Sequence, residues 1–152
     1  MGRRQKGCVQ AVASQSRRRP VGRQAAGLAA WLDGAAAEQL ACERLVAEGW
    51  TVLLRRARTP CGEIDIVAER PGGGLIAFVE VKIRPSLAAA ATALRPAQVR
   101  RLVGAAQCLL AANTHWLAGE LRFDLIVVDA AGRVRRISDA VRLDHDAEPA
   151  TG

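Results

Sequence analysis

Four charged side chains are spaced as a site of chemistry would need them. In Glu63-Ile-Asp-Ile-Val-Ala and again in Phe78-Val-Glu-Val-Lys, charged and aliphatic residues alternate. Residues two apart in a strand share a face, so Glu63 and Asp65 project together, as do Glu80 and Lys82. Ile64, Ile66, Val79 and Val81 then turn toward a core. Charges facing a structured region are costly unless an ion or a partner neutralises them. A hard divalent cation such as Mg2+ takes carboxylate oxygens, keeps several waters and is usually held by one or two acids plus a substrate phosphate. Asp65 and Glu80 suit that role, with Mn2+ able to stand in. Lys82 could orient or deprotonate an attacking water, or neutralise charge on a pentacoordinate phosphorus. The set fits phosphodiester hydrolysis without a covalent intermediate. The plainer alternative is a strand whose solvated face simply alternates charge, which antiparallel sheets often show.

These residues need two neighbouring strands, and the sequence supplies them. Glu63 to Ala68 and Leu75 to Ile83 read as strands joined by the turn Pro71-Gly-Gly-Gly. Upstream, Ala37, Leu40, Ala41 and Leu45 recur at helical spacing from Gly34 to about Trp50, with Asp33 as the cap and Gly49 as the stop. Trp50 to Arg55 is apolar and β-branched enough for a further strand, which Thr59-Pro-Cys-Gly interrupts. The alanine-rich stretch Pro85 to Leu94 has no bulk to anchor it and is expected to be a mobile loop. A second helix is expected from Pro96, a residue suited to the first helical position, through Val99, Leu102, Val103, Ala106, Leu109 and Leu110 to Asn113. Leu121 to Val128 reads as a buried strand, with Arg133 to Ile137 as its hairpin partner. Helix, three strands, helix, two strands predicts an α/β fold: a mixed sheet flanked by helices.

The chain of 152 residues is one domain's length, and its half-apolar composition suffices for one core. All of the net charge of +7 sits in residues 1–24, which hold Arg3, Arg4, Lys6, Arg17, Arg18, Arg19 and Arg23 and no acid. Residues 1–30 are accordingly expected to be a basic arm drawn to polyanions, nucleic acid above all, with residues 31–143 the folded domain and 144–152 a flexible tail. Such an arm can also be merely solubilising or arise from a mis-chosen start codon. Cys8, Cys42, Cys61 and Cys108 show no metal or redox spacing and read as small buried residues or bystanders. Ser16-Arg17-Arg18 before the apolar run Ala25 to Leu32 invites a twin-arginine export reading. Arg23 and Asp33 interrupt that run, which is too short to span a membrane, so a cytoplasmic protein without membrane contact is expected.

The segments "GEIDIVAE" and "IAFVEVKIR", separated by a glycine turn, resemble the active-site signature of the PD-(D/E)xK nuclease superfamily. More closely, the chain resembles the YraN-like family of uncharacterised bacterial proteins grouped with endonucleases. "GAAAEQLACERLVAEGW" is similar to that family's first helix, "RARTPCGEIDIVAE" to its second and third elements, "FVEVKIR" to its catalytic strand and "LRFDLIVV" to a later core strand. The resemblance spans about Gly34 to Leu143. It implies a restriction-endonuclease-like α-β-β-β-α-β core, with Asp65 and Glu80 as metal ligands, Lys82 as catalytic lysine, and Glu38 as an acid reaching the site from the helix. It also places Arg58 and Arg84 where the family carries arginines able to contact phosphate.

Two positions depart from the pattern. Arg56 stands where the family usually has Asn, and Gln98 where the second helix usually offers a lysine. Related nucleases sometimes place glutamine there, so Gln98 could still touch the site. His115 and His145 have no partner at triad or ligand spacing and read as loop residues. The resemblance implies a Mg2+-dependent endonuclease acting on DNA, with branched or repair intermediates as candidate substrates, and leaves open a homodimer that cuts both strands. The alternative is a nucleic-acid-binding module that keeps the fold with little turnover. With three Trp, two Phe and no Tyr, few aromatic platforms exist for reading single-stranded RNA.

Overall fold

The computed structural model describes residues 33–92 and 94–141. The basic arm, Cys8, the tail and His145 lie outside the described residues. The elements are α1 (Gly34–Ala47), β1 (Thr51–Thr59), β2 (Gly62–Glu69), β3 (Leu75–Arg84), a 3-10 turn (Leu87–Thr92), α2 (Pro96–Ala112), a second 3-10 turn (Thr114–Ala118), β4 (Glu120–Asp129) and β5 (Val134–Ile137). The five strands form one mixed sheet in the order β1-β2-β3-β4-β5. Only β3 and β4 are parallel; the other neighbours are antiparallel. This is the expected α/β architecture, with a helix on each face.

Local chemistry explains the boundaries. Asp33 Oδ1 accepts from Ala36 N at 2.7 Å and caps α1. Gly49, at φ 85°, takes the left-handed conformation that ends it. Pro96 opens α2 as anticipated. On one face Ala37, Ala41 and Leu45 of α1 pack on Ile66, Ala68, Ala77, Val79, Ile126 and Val128. On the other, Leu102, Ala105 and Ala106 of α2 pack on Ile64, Val67, Ile76 and Phe78. Burying both faces is why β2, β3 and β4 read as near-continuous aliphatic runs.

Three expectations need correction. β1 runs on to Thr59 rather than stopping near Arg55, because its polar half pairs with β2 through Arg58↔Glu63 and Thr59↔Gly62. The Pro85 to Leu94 stretch contains a 3-10 turn, anchored by Leu87 and Leu94 against Leu125 and Val127. Ile64 and Ile66 are both buried but in opposite core layers, so β2 changes face between them.

Candidate active site

The site lies where β2 and β3 separate. Their ladder pairs Ile66 with Val79 through Glu69 with Ile76, and the next residues outward are Asp65 and Glu80. There the Asp65 carboxylate replaces the backbone as acceptor, taking the Val81 N–H at Oδ2 over 2.7 Å. β3 is held on its far side by β4, in register from Leu75↔Glu120 to Arg84↔Asp129. Glu80 and Lys82 therefore project from a supported strand toward the face covered by α2, and Lys82 Nζ donates to Glu80 Oε1 at 2.6 Å. Gly62, Glu63, Asp65, Glu80, Lys82, Gln98, Arg101 and Leu102 line a cleft of about 320 Å3.

Burial pushes the Asp65 carboxyl up to about 7; the Val81 amide opposes that shift, and the adjoining Glu80 and the more distant Glu38 add to it. Two acids sharing a partly buried place with one ammonium nearby are short of positive charge. Asp65 and Glu80 are thus the described residues best suited to a divalent cation, which needs only one or two protein acids when phosphate and water complete its shell. Among the described residues, no group of three or more His, Cys, Asp or Glu side chains is arranged to hold a metal ion.

Glu38 is buried on α1, and Arg56 Nε donates to its Oε2 at 2.6 Å. Arg56 makes this contact from a left-handed backbone at φ 48°, rare for a long side chain. Glu63 lines the cleft while pairing with Arg58 at 3.1 Å, and the Arg58 side chain remains 85% exposed. Arg84 closes β3, its Nη1 donating to Ile83 O at 2.8 Å. Gln98 lines the cleft, and its Oε1 accepts from Arg95 N at 2.9 Å, so it also caps α2. The structure thus gathers Asp65, Glu80, Lys82 and Gln98 at one cleft, with Glu38 tied to Arg56 and with Arg58 and Arg84 outside the lining.

Sequence reasoning passed over Arg101. It lies three residues after Gln98, hence on the same helix face, and that spacing was the available signal. Asp124 was also missed: fully buried, it accepts from Arg122 Nε at 2.7 Å, Arg136 Nη2 at 2.9 Å and Asp139 N at 3.0 Å. Arg136 in turn lies over the Trp50 ring at 4.2 Å. This cluster joins β4, β5 and Trp50, the residue before β1, and lies outside the cleft lining.

Mixed α/β sheet, a two-acid cleft at a strand parting and a lysine two residues beyond the second acid define the class of architecture. Residues 37–128 match the family described as Uncharacterised protein family UPF0102, and the chain belongs to that family. It is 53% identical over 117 residues to a UPF0102 protein of Granulibacter bethesdensis, covering 77% of this chain and 73% of that one. A UPF0102 protein of Rhodopseudomonas palustris strain HaA2 is 50% identical over 101 residues, covering 66% and 77% of the two chains. One from Bradyrhizobium sp. strain ORS 278 is 43% identical over 122 residues, covering 80% and 82%. No helix among the described residues is long and apolar enough to cross a membrane.

Proposed function

We propose that the chain is a metal-dependent nuclease of the PD-(D/E)xK type that hydrolyses phosphodiester bonds in DNA. The observation that carries this reading is the meeting of Asp65 and Glu80 where β2 and β3 part, with Lys82 Nζ 2.6 Å from Glu80 in the same cleft. Asp65 and Glu80 would hold Mg2+ or Mn2+, with Glu38 able to join from α1 once Arg56 lets go. When bound, the ion supplies Lewis acidity toward the phosphate and a lowered pKa for a coordinated water.

The remaining work falls to the chain's own side chains. Lys82, released from Glu80, donates Nζ–H to a non-bridging phosphate oxygen or aligns the attacking water, and so favours the more highly charged transition state. The Val81 amide keeps the Asp65 carboxylate aimed into the cleft. Gln98 and Arg101 present a donor and a cation from the α2 wall, where a phosphate backbone would run. Labelled linear, nicked, flapped and four-way DNA, with RNA alongside, should be cut only with Mg2+ or Mn2+ and not by Lys82→Ala.

One observation favours a second reading, a nucleic-acid-binding module without turnover: Glu38 and Glu80 each already hold a basic side chain, Arg56 and Lys82. Tight, salt-sensitive DNA binding with no metal-dependent cleavage would select it.

A further inference from the structure

The proposed chemistry leaves a pair of thiols beside the cleft unused. Cys61 sits in the turn between β1 and β2 and is exposed; Cys108 is partly buried on α2. Their Sγ atoms are 3.6 Å apart and share a hydrogen bond. Cys42, by contrast, is buried on α1.

The contact is built into the packing of the turn on the helix. Thr59 Oγ1 accepts from Cys61 N at 3.2 Å and donates to Gly62 O at 2.7 Å, which fixes the turn. Gly104 lies one helical turn before Cys108, and a Cβ there would stand 3.2 Å from Cys61 Cβ, so the missing side chain lets the turn seat this closely. A Cβ on Gly62 would meet the Arg101 backbone oxygen at 3.6 Å, extending the same close approach along α2. Two sulfurs in van der Waals contact, one open to solvent and both on anchored elements, need only a small approach to bond.

We propose that Cys61 and Cys108 form a dithiol site that is closed to an intramolecular disulfide by a low-molecular-weight disulfide and reopened by excess thiol. The Cys61 thiolate attacks the reagent disulfide, forms a mixed disulfide and releases one thiol. The Cys108 sulfur then attacks Cys61 Sγ and expels the second thiol. The two cysteines lose two electrons and two protons, and the reagent takes up both as two thiols. The hydrogen bond with Cys108 holds the Cys61 thiol above its ordinary range, so exchange is slow near neutrality and quickens as pH rises. In a reducing compartment the pair rests as thiols and closes under oxidant. Closure would pin Gly62 and Glu63 against the wall that carries Gln98 and Arg101, but the site stands on the thiol geometry and not on the nuclease reading.

The test uses the full chain, reduced and then incubated with oxidised glutathione under native conditions. Expected are the loss of two thiols, a mass lower by two hydrogens, and a peptide joining Cys61 to Cys108. The oxidised chain should also melt higher by on the order of 10 °C. Cys61→Ser, a change at an exposed turn position, should fold and show neither effect. Persistent glutathione adducts on Cys61, or disulfides between chains without the joined peptide, would overturn the proposal.

Discussion

Val81 donates its backbone N–H to the side chain of Asp65 at 2.7 Å, at the point where the β2–β3 ladder stops. A carboxylate thus does the job of a backbone carbonyl, and that substitution brings two acids together. It ties the candidate chemistry to the path of the main chain, since moving Asp65 would reopen the sheet at the cleft.

Lys82 is the sharpest test of the nuclease reading. Lys82→Ala should lower metal-dependent cleavage by about 10²–10⁴-fold, the usual range for a positioned proton donor or acceptor. The side chain is 20% exposed and its ion-pair partner among the described residues is Glu80, so the fold should survive. Cleavage rates beside a thermal melt separate the two effects.

Asp65 gives a pH signature in metal-free protein. Its carboxyl is raised from 3.8 to about 7 by burial, so the folded state holds a proton that the unfolded chain gives up. Its contribution to stability is therefore present below 3.8 and is lost as pH rises toward about 7. The melting temperature of Asp65→Asn should lack this decline, and Mg2+ should stabilise the native chain more strongly above about 7, where no proton competes. Melts across pH 4–8 with and without Mg2+ would read both trends. A slope unchanged in Asp65→Asn would assign it to other groups.

Arg56 should act against the metal. Replacing it with Asn suits the left-handed backbone at φ 48° and frees Glu38 from its guanidinium. Arg56→Asn should melt lower without metal, because Glu38 is left buried and unpaired, yet bind Mg2+ several-fold more tightly by calorimetry. Unchanged affinity would leave Glu38 out of the ligand set.

Asp124 predicts a pure stability effect. Asp124→Ala strips the buried acceptor from Arg122 and Arg136, and breaking a buried ion pair from one side costs about 3–5 kcal/mol. Denaturant unfolding should show that loss, with Mg2+ affinity per folded molecule unaltered.

The arm can be tested by removal. Deleting residues 1–24 takes away seven basic side chains and no acid. DNA affinity should then fall less steeply with salt, while the melting temperature of the domain holds. An unchanged salt slope would remove the arm from nucleic-acid binding.

Much of the fold was legible because each signal was local. Asp33, Gly49 and Pro96 mark helix ends by their own chemistry, and the alternation around Asp65 and Glu80 names the strands that carry them. What stayed hidden depended on partners far along the chain. Nothing near Arg56 shows that it will reach Glu38, and the separation of Cys61 from Cys108 matches no motif although their sulfurs touch. The face change between Ile64 and Ile66 likewise follows from the parting of two strands, which a period-two pattern does not contain.

The parallel pairing of β3 with β4 also governs how the site comes into being. The strand bearing Glu80 and Lys82 gains its second neighbour only after the chain has travelled through α2 and both 3-10 turns, from Arg84 to Glu120. Long-range pairing of this kind is slow, because loop closure precedes its reward. During synthesis, the acids and the lysine leave the ribosome well before the strand that holds them in place. A nascent chain ending short of β4 therefore carries Glu38, Asp65, Glu80 and Lys82 but lacks the strand that flanks β3, so completion of the candidate site waits on the β4–β5 segment that closes the domain.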